Sequence, residues 1–192
     1  MRCFIALPLP SEAREALARA LEPLRARWPR LRWTAPEGYH LTLAFLGEIE
    51  GQSLDRARAA VQGLPALPGF AFSFSRLSYL PPRPSPRVLV AELAEVPAGS
   101  SASLSTLVEE ALGSGTSRPG GPGPNGDCPR ARPFRPHLTL ARLGPGSPAP
   151  DLASLAGLLP AGEWTIGRCA LYKSDLRLGG AVYTELVGVP LL

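Results

Sequence analysis

Two octapeptides constrain this chain more than any other feature. Residues 40–47 read HLTLAFLG and residues 137–144 read HLTLARLG, identical at seven of eight positions and 97 residues apart in a chain of 192. Chance aligns a few leucines but not His, Thr and Gly in register with them, so the repeat points to a duplicated structural unit. His40 and His137 are the only two histidines, and each opens its copy. A single histidine on an amphipathic strand is most often a satisfied polar side chain. Two histidines placed identically in a repeat point instead to a shared task.

Read as a strand, the octapeptide alternates between two faces. His40 and Thr42 share one face; Leu41, Leu43 and Phe45 share the other. The second copy sets His137 and Thr139 against Leu138 and Leu140. The leucine face is expected beneath helices and the His–Thr face open. Two lobes related by a pseudo-twofold axis would bring both open faces to a central cleft. Two imidazoles there suit a general base and a general acid, because histidine titrates near neutral pH. Threonine hydroxyls suit phosphoryl oxygens, and phosphoryl transfer needs mainly positioning and charge stabilisation. No cofactor is expected. Two histidines without Asp, Glu or Cys in ligand spacing also make a poor zinc site, so no metal is expected.

The rest of the chain is read around the repeat. Residues 2–7 form a buried strand, and Ser11 is placed to cap a helix with Leu17, Leu21, Leu24 and Trp28 on one face. A strand is expected near 31–34, then the turn Pro36-Glu37-Gly38. Helices are expected over 53–62 and 101–112, with a short one over 151–159. Phe70, Phe72 and Phe74 alternate with small residues as in a half-buried strand. Further strands are expected at 88–93, after the proline-rich loop 81–86, and near 164–173 and 181–187. Helices and strands mingle without a βαβ rhythm. That predicts an α+β fold: a single bilobal domain over 1–192, with two pseudo-twofold related antiparallel sheets, outer helices and a central cleft. Residues 113–131 hold six Gly and four Pro and read as a flexible loop within it.

Composition adds bounds. The formal charge is +4, and nineteen of the twenty basic residues are arginine. Arginine suits phosphate through its fork of donors, although a mildly basic surface is commonly just solvated. Cys3, Cys128 and Cys169 form no CxxC pair and leave one over, which argues for a reducing cytoplasm. The apolar N-terminal run is cut by Pro8 and Pro10 and reads as a strand, not a secretory signal. No run of about 18 apolar residues occurs, so no membrane span is expected. A monomer is the default expectation.

HLTLAFLG and RPHLTLARLG resemble the paired H-x-T-x motifs of the two-histidine phosphoesterase superfamily. More narrowly, the chain resembles the bacterial and archaeal RNA 2′,3′-cyclic phosphodiesterases, also called 2′-5′ RNA ligases. RCFIALPLP, GYHLTLAFLGEI and LYKSDLRLGGAVYTEL share the likeness, so it runs through nearly the whole chain. Residues 113–131 depart from it, being longer and richer in Gly and Pro. The resemblance implies hydrolysis of a terminal 2′,3′-cyclic phosphate on RNA, tRNA fragments included, to a 2′-phosphate. It implies His137 as proton acceptor for water, His40 as proton donor to the departing 3′ oxygen, and Thr42 and Thr139 on the phosphate. Exchanging the two histidine roles gives the 3′-phosphate or the reverse reaction; a 5′-hydroxyl replacing water would join RNA ends through a 2′-5′ linkage with the same two histidines.

Phe45 and Arg142 stand five residues after each histidine. The resemblance implies substrate contacts for both, Phe45 by stacking and Arg142 on phosphate or base. Strand parity turns both to the leucine face unless the strand bulges. Core packing is the plain alternative for Phe45, whereas an arginine in a leucine layer would be costly. Arg135 is a candidate for steering RNA, or a solvated loop charge; Tyr39 and Tyr183 are weaker candidates. Three other functions stay open: an RNA- or nucleotide-binding module without turnover, a 2′-5′ oligonucleotide phosphodiesterase, and a repeat whose histidines are merely buried.

Overall fold

The computed structural model describes residues 1–82, 85–113, 134–144, 146–177 and 180–192. The chain opens with β1 (Arg2–Pro8), α1 (Ser11–Arg27), β2 (Arg32–Trp33), β3 (His40–Glu48) and α2 (Gly51–Gln62). The middle holds β4 (Phe70–Leu80), β5 (Val88–Val96), α3 (Ser100–Leu112) and β6 (His137–Arg142). β7 (Trp164–Ile166), β8 (Arg168–Arg177) and β9 (Gly180–Pro190) follow.

Strand pairing is antiparallel throughout, in the order β7-β4-β5-β6-β3-β1-β8-β9, with β2 added beside β6. The two expected sheets are the two halves of this order. They are fused at its centre, where β3 and β6 meet through the single partner pair Leu41–Leu138. The two octapeptides are thus neighbouring strands. Each half is built outward in the same way. β1–α1–β3 pairs its histidine strand with the strand before the helix, and β5–α3–β6 does likewise.

The leucine faces hold the sheet to its helices. Leu41, Leu43, Leu138 and Leu140 are fully buried, in one core cluster with Ala13, Leu17, Leu21 and Leu24 of α1 and Leu104, Val108 and Leu112 of α3. Each leucine so buried contributes on the order of 2 kcal/mol. The α1 residues recur at helical spacing, which is why this segment folds as one amphipathic helix. Ser105 on α3 donates from its hydroxyl to Leu43 O at 2.9 Å, tying that helix to the first histidine strand. Glu95, at the end of β5, accepts from the Ser101 amide at 3.1 Å and from its hydroxyl, satisfying the start of α3.

Two local expectations are corrected. Ser11 does not cap α1: Pro10 takes the cap position and no side chain bonds there, so Ser11 is the first helical residue. The helix expected over 151–159 is a single 3-10 turn, Leu152–Leu155, started by the Asp151 carboxylate accepting from the Ala153 amide. Gly157 follows at φ +77°, a conformation that stops a helix. The loop expected over 113–131 lies outside the described residues beyond Gly113, and Cys128 with it. Cys3 and Cys169 are buried free thiols. No helix among the described residues is long and apolar enough to cross a membrane.

Candidate active site

Both histidine strands bulge at the same place. On β3 the partners run Ile5–Ala44 and then Ala6–Thr42, which leaves Leu43 unopposed. On β6 they run Leu89–Ala141 and then Val90–Thr139, which leaves Leu140 unopposed. A bulge inserts one residue and reverses the alternation beyond it. Leu43 and Ala44 are consequently both buried, as are Leu140 and Ala141. Phe45 and Arg142 return to the face of the histidines. This resolves the parity conflict in favour of the site: Phe45 is half-buried beside Phe4 at 5.9 Å, and Arg142 is exposed. The antiparallel direction of β3 and β6 about Leu41–Leu138 also sets His40 toward Thr139 and Thr42 toward His137.

The two imidazoles are oriented identically. His40 Nδ1 lies 2.7 Å from Gly38 O, and His137 Nδ1 lies 2.7 Å from Arg135 O. A carbonyl only accepts, so Nδ1 carries a proton in both rings. Nε2 is then the atom that exchanges a proton, and the backbone two residues upstream holds it toward the open face. Thr42 and Thr139 are half-buried, and among the described residues neither hydroxyl has a protein partner. Among those residues no three His, Cys, Asp or Glu side chains converge as metal ligands would.

Around these matched parts the halves differ. On the β3 side an aromatic floor surrounds His40. Phe4, 2% exposed, stacks on His40 at 4.7 Å and on Tyr172 at 5.5 Å. Tyr183 sets its ring edge-on to both His40 and Phe4, each at 5.1 Å. Burial lowers the His40 pKa to about 4; the Gly38 hydrogen bond opposes this and the His137 charge adds to it. Burial likewise raises the Tyr183 phenol, against the charges of Arg142 and Arg2. The charge of Arg142 is thus felt in the half that holds His40.

On the β6 side His137 is opposite Glu92, and Thr139 is opposite Val90. Glu92 accepts from Arg76 Nε at 2.8 Å and from the Ser78 hydroxyl at 2.7 Å. Partial burial opposes its charge, but the bonds from Arg76 and Ser78 and the charges of Arg76 and Arg135 outweigh that and lower its pKa. No aromatic ring stacks on His137 among the described residues.

Residues 7–90 match the family described as LigT like Phosphoesterase. The chain is 37% identical to an RNA 2′,3′-cyclic phosphodiesterase of Thermus thermophilus, over 97% of this chain and 88% of that protein. The chain belongs to the LigT-like phosphoesterase family. An RNA 2′,3′-cyclic phosphodiesterase of Escherichia coli is 30% identical over 96% of this chain and 93% of its own length. A solved Thermus thermophilus structure matches with TM-score 0.72 at 30% identity, covering 100% of this chain and 98% of that one. Escherichia coli LigT complexed with 3′-AMP matches with TM-score 0.68 at 25% identity, covering 99% of this chain and 97% of that one.

In this LigT-like phosphoesterase His40, His137, Thr42, Thr139, Phe45 and Arg142 all share one face of the sheet. Arg135 contributes a backbone carbonyl to His137 and a charge near Glu92. Tyr39 is 1% exposed and belongs to the core, not to the open face. Its hydroxyl accepts from Arg25 Nη2 at 2.7 Å, and the same Nη2 donates to Thr34 O at 2.6 Å. Arg25 also lies over the Trp33 ring at 5.5 Å, and its buried Nε has no hydrogen-bond partner among the described residues. This arginine thereby braces the turn whose Gly38 carbonyl orients His40. Gly38 packs closely, because a Cβ there would lie 3.1 Å from the Tyr183 ring and 3.2 Å from the Thr34 methyl, and both would have to give way by a few tenths of an ångström. Sequence reading missed Phe4, Tyr172 and Arg25. Phe4 is hidden in an apolar strand, and no local signal marks an arginine of α1 as a brace for a loop nine residues away.

Proposed function

We propose that the chain is a metal-independent phosphodiesterase that opens a terminal 2′,3′-cyclic phosphate on RNA and leaves a 2′-phosphate. The observation that carries this reading is the pair of imidazoles on adjacent strands, each with Nδ1–H committed to a carbonyl and Nε2 left for proton exchange. Two binding histidines would not need that matched orientation. The names of the relatives from Thermus thermophilus and Escherichia coli support the same reaction.

The phosphate sits between the histidines, its non-bridging oxygens accepting from Thr42 and Thr139. His137 Nε2 takes a proton from water as the water oxygen bonds to phosphorus. The bond from phosphorus to the 3′ oxygen breaks in line, and His40 Nε2 donates its proton to that oxygen. The 2′ oxygen keeps the phosphate. This assignment sets the ribose on the His40 side, where the rings are, with Phe45 available to the base and Arg142 to the phosphate or base. His40 is neutral in the free protein at neutral pH, since its pKa lies at about 4. On substrate binding it takes a proton from solvent at Nε2, because the anionic phosphate favours the imidazolium in a poorly solvated setting. A 5′-hydroxyl replacing water follows the same steps in the same direction, bonding to phosphorus as the 3′ oxygen leaves, and joins ends through a 2′-5′ linkage.

The test is a short RNA ending in a 2′,3′-cyclic phosphate, assayed with EDTA present. Wild type is expected to give a 2′-phosphate end, and His137→Ala none. A 3′-phosphate product would reverse the two histidine roles. No product from wild type would leave a binding module, or a different linkage as substrate.

A further inference from the structure

One charged side chain on this face has no part in the reaction above. Arg2 opens β1, and strand alternation sets it on the same face as Phe4. Its backbone belongs to the sheet: Arg2 is the partner of Glu48, and the Ile49 amide donates to Met1 O at 2.9 Å. The guanidinium lies over the Phe45 ring, 5.7 Å from its centre. That contact occupies a face of the guanidinium and leaves its N–H edges exposed, oriented by the ring beneath.

Two other arginines of this face are already engaged. Arg76 pairs with Glu92 and Arg168 with Glu185, so both charges are neutralised in place. Arg142 belongs to the proposed substrate contacts. Among the described residues no carboxylate pairs with Arg2, although Glu48 is its strand partner; Glu48 lies instead 3.4 Å from the N-terminal ammonium. An exposed, oriented and unneutralised fork of donors at the rim of an aromatic floor fits a phosphate group.

The substrate supplies one. With the ribose on the His40 side, a cyclic mononucleoside presents a single phosphate, and the histidines take it. A chain end presents a second, the phosphodiester on the 5′ oxygen of that same nucleoside. We propose that Arg2 binds this 5′ phosphodiester, so that the enzyme favours RNA chain ends over free cyclic mononucleotides. The proposal rests on the phosphodiesterase reading given above.

The experiment compares three substrates: adenosine 2′,3′-cyclic phosphate with a free 5′-hydroxyl, the same nucleotide carrying a 5′-phosphate, and the dinucleotide ending in that cyclic adenosine. Wild type and Arg2→Gln are assayed, with thermal melting to confirm that both are folded. In wild type, kcat/KM is expected to be about tenfold higher for the two substrates with a 5′ phosphoryl group, chiefly through KM, the scale of one charge-assisted hydrogen bond. Arg2→Gln is expected to bring the ratio to about one and to flatten the salt dependence on the dinucleotide. An unchanged ratio in Arg2→Gln, or no ratio in wild type, would overturn the proposal. Wild-type inactivity on all three would overturn the phosphodiesterase reading itself.

Discussion

His40 and His137 begin nearly identical octapeptides, bulge after the same residue and donate the same hydrogen bond, but they stand in different surroundings. His40 rests on Phe4 and meets the edge of Tyr183. His137 faces Glu92, which Arg76 and Ser78 hold. The difference comes from the neighbouring strand: β1 supplies Pro8, Ala6 and Phe4 opposite the first copy, whereas β5 supplies Glu92, Val90 and Val88 opposite the second. Local sequence therefore sets which nitrogen faces the open side, and the strand beside it sets what surrounds the ring. In the proposed reaction the two copies of one motif take unlike roles because their neighbours are unlike.

The largest effect is expected from removing either imidazole. His40→Ala and His137→Ala should each lower kcat by about 10²- to 10⁴-fold. Melting temperatures should separate the two, with the larger drop for His40→Ala, which empties a stacked site. Equal drops would break the comparison.

The next concerns pH. Folding lowers the His40 pKa, so the unfolded chain binds a proton that the folded chain resists. That contribution to stability is intact above about pH 6.5 and declines as pH falls toward about 4, by roughly 3 kcal/mol at most. Urea unfolding across this window should show a shallower decline for His40→Gln than for wild type. Parallel curves would mean that His40 is not held neutral by the fold.

Thr42→Ala and Thr139→Ala should each cost about 10- to 100-fold in kcat, one hydrogen bond to developing charge. Comparable losses are expected, because the antiparallel register gives each histidine the threonine of the other copy. A loss confined to one threonine would put the phosphate off the pseudo-twofold axis.

The smallest effect sharpens the asymmetry. Arg25→Met removes the brace from the turn before His40, where the second copy has no counterpart among the described residues. A fall in kcat of about tenfold with little change in KM is expected, the scale of one lost charged hydrogen bond. The His40 Nδ1–H signal in NMR should broaden while that of His137 stays sharp. Equal broadening of both would assign Arg25 a general structural role.

Much of this was legible in the chain. Alternation within HLTLA assigned His40, Thr42, His137 and Thr139 to one face, and helical spacing of leucines outlined α1. Phe45 and Arg142 were harder, because simple alternation turned them inward. The bulges that return them are a property of pairing with β1 and β5, and one strand cannot show the register of another. Tyr39 looked like a site neighbour only because it precedes His40; the pleat sends it to the core. The 3-10 turn at Leu152–Leu155 was overestimated as a helix since Gly157 breaks it after one turn.

The sequence by itself determined the fold class and the matched placement of the two histidines, because a repeat and a period of two are local patterns that a strand must express. Only the tertiary structure decided which half is aromatic and which arginines are neutralised, and so which imidazole packs against rings. Those properties arise between strands distant in the chain, where burial and neighbouring charge act through space.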